Sequence, residues 1–113
     1  MNIKITQVGP SAVMRVEGRM DAASQASFDE TCVRTVADGA VNVVADLTGL
    51  TYISSAGIGS FLKMAKNLEP KNGEVVLAGL SGLVRDVFEL TRIITIFRVF
   101  NSTEEALAAL ASR

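Results

Sequence analysis

The sequence predicts an α/β fold: a mixed central sheet with an N-terminal hairpin and about four packed helices. Three observations predict it. Apolar residues alternate with polar ones at the N-terminus, as in a half-exposed hairpin. Two short runs, residues 41–45 and 74–78, are apolar on nearly both faces, as in central strands covered on each side. Between those runs lies a helical pattern, so strand, helix and strand form a right-handed parallel crossover.

The elements follow in order. Ile3 and Ile5 alternate with polar neighbours, and Gly9-Pro10-Ser11 has turn chemistry. Ala12, Met14 and Val16 then alternate with Val13, Arg15 and Glu17, completing the hairpin. Asp21 is placed to cap a helix whose inner face carries Phe28, Cys32, Val33 and Val36, and Gly39 stops it. Cys32 reads as a small buried hydrophobe. Ile58, Phe61, Leu62, Ala65 and Leu68 trace the crossover helix, ended by Pro70 and Gly73. Ser60 is expected at its surface. Leu80, Leu83, Val84, Val87 and Phe88 mark the inner face of a third helix, and residues 94–100 read as a strand. Ser102 and Glu105 form a capping box ahead of a last helix with Ala106, Leu107 and Leu110 inward.

Composition narrows the chemistry. The 113 residues suit one compact domain, with no repeat, linker or low-complexity run. There is no histidine and one cysteine, which removes Ser-His and Cys-His nucleophile pairs, cysteine zinc clusters and intramolecular disulfides. A net charge of −1, no tryptophan and one tyrosine give neither a basic field nor stacking platforms for nucleic acid, nor attraction to anionic membrane. No apolar stretch approaches the roughly 20 residues of a membrane span, and the alternating start is unlike a signal peptide. A cytoplasmic binding protein without cofactor or metal is expected, not an enzyme. The apolar fraction of 49% calls for a well-filled core or a partner-facing patch.

Residues 46–60 run from the end of a central strand into a helix, the sheet edge where ligands and functional groups gather. Ser54, Ser55, Ala56, Gly57 and Gly59 are all small, leaving backbone accessible beside a helix start that favours an anion. Either serine can serve simply as a cap. A phosphate-binding P-loop fails for want of Gly-Lys-Ser/Thr, and a nucleophile elbow for want of Gly-x-Ser-x-Gly and a histidine. A dinucleotide site would need its glycines after the first strand. Asp46 and Thr48 suit bonding within the loop as well as contact with a partner.

The run Asp46-Leu47-Thr48-Gly49-Leu50-Thr51-Tyr52-Ile53-Ser54-Ser55-Ala56-Gly57-Ile58-Gly59 resembles the signature of the STAS domain of sulfate transporters and anti-sigma factor antagonists. Gly18-Arg19-Met20-Asp21-Ala22-Ala23 is similar to that family's entry into its first helix, and residues 87–93 and 97–107 to its closing helix-strand-helix. The resemblance implies a single STAS domain over 1–113, of the free-standing antagonist branch. It implies a partner that is an anti-sigma factor and serine kinase of the histidine-kinase-like ATPase fold, phosphorylation of a serine at the second helix start that breaks the complex, and a serine phosphatase that resets it. Aligned on the glycines with the family's Asp-Ser-Ser-Gly-Leu-Gly, Ser54 replaces the aspartate, Ser55 matches the first serine and Ala56 the second. Ser55 is the expected acceptor, with Ser54 next. The implied contact surface comprises Asp21, Asp46, Thr48, Ser54, Ser55, Ala56, Gly57, Ile58 and Gly59. The alternative is an unphosphorylated STAS adaptor that binds a transporter ATPase or another signalling partner.

Overall fold

The computed structural model describes residues 1–112. Its strands are β1 (Asn2–Val8), β2 (Ser11–Met20), β3 (Asn42–Asp46), β4 (Leu50–Ile53), β5 (Val75–Ala78) and β6 (Arg98–Phe100). The helices are α1 (Ala22–Ala37), α2 (Ser55–Leu68), α3 (Gly82–Leu90) and α4 (Thr103–Ala111). The sheet runs β1-β2-β3-β5-β6, with β4 pairing the far end of β2. β1 and β2 are antiparallel, and every other pairing is parallel.

Strand periodicity divides the core between the two faces of the sheet. Val43, Ala45, Val75 and Leu77 point toward the larger cluster, with Phe28 of α1, Phe61 of α2 and Phe88 of α3. Val44, Val76 and Ala78, on the opposite face, meet Ala106 and Leu110 of α4. That is why the two central runs are apolar throughout. Phe61 joins the three helices, its ring 4.9 Å from Phe28 and 6.4 Å from Phe88.

Several expectations are corrected. Leu50–Ile53 forms a strand in what the sequence presents as loop; four residues are too few to show a period. The expected strand over 94–100 shrinks to three residues. Arg92 turns left-handed (φ 63°), residues Ile93–Thr95 make a 3-10 turn, and Phe97 drops into the core before pairing begins. In α1 the buried face is Phe28, Cys32 and Thr35, spaced i, i+4, i+7, which leaves Val33 50% exposed. Likewise Val84 and Phe88 face inward from α3, and Leu83, one residue round the helix, is 57% exposed. At α4, Ser102 accepts from the Glu105 amide as expected, but the Glu105 carboxylate accepts from the Asn101 amide instead of that of Ser102.

Candidate functional site

The site is built where β2 and β4 end side by side. Met20 and Ile53 are register partners, and the Ser54 amide donates to the Met20 carbonyl at 2.8 Å. The next residue on each strand is a helix cap, so the starts of α1 and α2 lie adjacent. Asp21 caps α1 through a reciprocal box: its carboxylate accepts from the Ser24 amide at 3.1 Å, and its own amide donates to the Ser24 hydroxyl at 3.1 Å. The Ser24 hydroxyl, which also donates to the Asp21 carboxylate, holds that carboxyl below its ordinary value. A depressed carboxyl pKa means that this capping contribution is present above the ordinary carboxylate range and is lost as pH falls through the lowered value.

Ser54 caps α2, its hydroxyl accepting from the Gly57 amide at 3.1 Å. Ser54→Ala is expected to lower stability by about 1 kcal/mol, seen as a lower urea midpoint with unchanged slope. Ser55 is the first residue of α2 and is exposed, its hydroxyl not engaged as the cap. No acidic side chain occupies the first turn, so the helix start keeps its partial positive character. Ser55, Ala56 and Gly59 are exposed.

Gly57 and Ile58 do not join that surface. Both are buried. A Cβ on Gly57 would lie 2.5 Å from the Met20 sulfur and 3.0 Å from Ile53, so this glycine lets the first turn of α2 settle onto β2 and β4. A Cβ on Gly59 meets nothing within 4 Å. Ile58 is a core residue at 5% exposure. The two glycines of the motif therefore have different tasks: one is a packing contact and the other leaves the outer face bare.

Asp46 and Thr48 also fall away from the α2 start. Asp46 pairs with Arg15 on the β2–β3 ladder, five β2 positions before Met20, or roughly 16 Å at strand rise. Its Oδ1 accepts from the Thr48 amide at 3.1 Å and the Thr48 hydroxyl at 2.7 Å, which pins the turn after β3. Thr48 packs over Gly79, whose φ is +74° and whose missing Cβ would meet the Thr48 hydroxyl at 2.3 Å.

Sequence reasoning missed three features. Ser60 is 2% exposed, not a surface residue. Its hydroxyl donates to Asp29 at 3.0 Å and accepts from Gln25 at 3.1 Å, while Lys63 pairs with the same carboxylate at 3.3 Å. This network fixes α2 against α1, and the i, i+3 spacing of Ser60 and Lys63 was its available signal. Met20, fully buried beneath Gly57, had none. The third is an apolar strip on α3. Leu83, Val87 and Leu90 share a helical face, with Leu83 and Leu90 exposed and Val87 half-buried. α3 packs on β4, the strand that leads into Ser54.

Two surface clefts lie elsewhere. One, of about 280 Å³, is lined by Lys4, Arg15, Asp46 and Glu104; the other, of about 240 Å³, by Val8, Pro10, Leu107 and Leu110. Among the described residues no acidic or cysteine cluster could hold a metal ion. Burial pushes the Cys32 thiol up to about 12, with the Asp29 charge adding to the effect, so it stays protonated and inert at neutral pH. No helix among the described residues is long and apolar enough to cross a membrane.

This arrangement has known counterparts. A family model described as the STAS domain matches residues 2–106. The chain belongs to the STAS domain family. Within it, BtrV of Bordetella bronchiseptica, provisionally named an anti-sigma factor antagonist, is 36% identical over 109 residues, covering 96% of this chain and 94% of BtrV. The anti-sigma-B factor antagonist of Staphylococcus aureus is 25% identical over 104 residues, covering 92% of this chain and 96% of that protein. The structure of the anti-sigma factor antagonist SpoIIAA in its unphosphorylated form superposes with a TM-score of 0.87 at 21% identity, covering 99% of this chain and 98% of that one. The STAS fold expected from the sequence is the fold observed.

Proposed function

We infer that this STAS chain, a single domain acting in the cytoplasm, is an anti-sigma factor antagonist. It docks through the start of α2 and is released when Ser55 is phosphorylated. The observation that carries the reading is the contrast at the two serines: Ser54 is spent as the cap of α2, and Ser55 beside it is exposed on a helix start free of acidic side chains. A kinase can reach that hydroxyl. The helix dipole accommodates the product, so phosphorylation leaves the fold intact and acts on the complex. The 36% identity to BtrV over nearly the full length of both chains supports the antagonist assignment.

The docking face comprises Ser55, Ala56 and Gly59, with Asp21 at the adjacent helix start and the Leu83–Leu90 strip of α3 as its apolar border. A phosphate of about −1.5 to −2 charges among these small residues must be desolvated on docking and repels acidic partner groups. The partner is an anti-sigma factor that is itself a serine kinase of the histidine-kinase-like ATPase fold, and a serine phosphatase removes the phosphate. The protein carries no catalysis of its own.

Gly59→Arg tests the face without touching the core. Its side chain enters open space, and loss of a mid-helix glycine favours the helix by up to about 1 kcal/mol. The expected outcome is loss of anti-sigma factor capture with unchanged or slightly raised thermal stability. Full binding by the folded variant removes α2 as the docking face.

A further inference from the structure

The two outer edges of the sheet differ. β6 closes one side with only three residues, but β1 leaves seven along the other, with Ile5 40% and Val8 43% exposed.

The hairpin fixes which backbone groups are free. The Gly18 amide donates to Gly49, so even-numbered residues of β2 turn their backbone groups toward β3 and β4, and odd-numbered ones toward β1. The odd set pairs with Asn2, Lys4, Thr6 and Val8. Ile3, Ile5 and Gln7 therefore present their N–H and C=O groups outward, on the unpaired edge.

We propose that the outer edge of β1 pairs antiparallel with the same edge of a second copy, about a two-fold axis through Ile5. In this register Ile5 meets Ile5 and Ile3 meets Gln7 as hydrogen-bonded pairs, so every outward N–H and C=O finds a partner. An axis through Ile3 or Gln7 would strand part of that set, and an axis through Lys4 would oppose two lysines. With the axis at Ile5, Lys4 faces Thr6 of the second copy and Asn2 faces its Val8. The exposed Ile5 side chains then cover each other on the face that carries α1 and α2. The strand is thus complementary to itself in hydrogen bonding and apolar contact. A net charge of −1 sets little long-range repulsion between copies. The contact is isologous, so it closes at a dimer and does not propagate.

Sedimentation from about 10 μM to about 1 mM spans the range for an interface of this small kind. The expected result is a concentration-dependent rise from 12.0 kDa toward twice that mass. Ile5→Pro removes only an outward N–H, which an edge strand tolerates, so the variant keeps its fold and weakens the dimer at least tenfold. Ile5→Lys places like charges across the axis and has the same effect. Hydrogen exchange supplies a readout free of substitutions: the Ile3, Ile5 and Gln7 amides slow as wild-type concentration rises. A chain that stays monomeric across the range, or a dimer that both variants form equally well, overturns the proposal.

Discussion

Ser55→Asp is expected to weaken binding to the anti-sigma factor roughly thirty- to a hundredfold, while thermal unfolding stays the same or rises slightly. The two effects separate because one carboxylate meets two environments. In the free protein it sits at the first position of α2, where a negative charge is favourable by about 0.3–1 kcal/mol. The neighbouring cap is already supplied by Ser54, so the new side chain displaces no hydrogen bond. On the proposed docking face its exposed neighbours on α2 are Ala56 and Gly59, neither of which offers a counter-charge. An unpaired charge desolvated there costs about 2–2.7 kcal/mol, which sets the fold-change. Ser55→Ala is the matching control. It should bind like the unmodified chain and resist the kinase, since Ser54 remains engaged with the Gly57 amide. Isothermal titration against the purified anti-sigma factor, with melting curves for each variant, reads both quantities.

Phe61→Ala is expected to have the largest effect on folding, lowering stability by about 3–5 kcal/mol. The ring is completely buried and bridges Phe28 and Phe88, so its removal opens a void among three helices at once. The loss is a large fraction of the 5–15 kcal/mol typical of a domain. Because α2 also carries Ser55, surviving folded molecules should present a loosened docking face. Urea unfolding gives the magnitude through the shift in midpoint.

Much of this arrangement was legible in the sequence, and the failures have physical causes. The runs 41–45 and 74–78 announced β3 and β5, to within a residue at each end, because helices cover both faces, which makes a run without alternation. Asp21 was legible as a cap because a helix start needs an oxygen acceptor at one fixed offset, whereas either Ser54 or Ser55 could have capped α2 and only the structure assigns Ser54. The STAS signature was legible as a string, but its string order misled about space. Asp46 and Ser54 are eight residues apart, yet β4 carries the chain along β2 between them, leaving Asp46 to the turn after β3. Gly57 and Gly59 look alike in sequence, and only the position of Met20 beneath the first distinguishes them. Ser60 looked like a surface serine because its partners, Gln25 and Asp29, lie 35 and 31 residues away on another helix. Leu83 and Leu90 are apolar residues that the core does not use, which no periodicity of α3 alone could reveal.

The proposed switch is a single hydroxyl, that of Ser55. Incubation with the anti-sigma factor kinase and ATP, followed by mass-spectrometric mapping and titration of the product against the same partner, tests it most directly. The expected result is one phosphate per chain, on Ser55, with affinity for the partner lost and the melting curve retained. Phosphate absent from Ser55, or a Ser55-phosphorylated chain that binds as tightly as before, would contradict it.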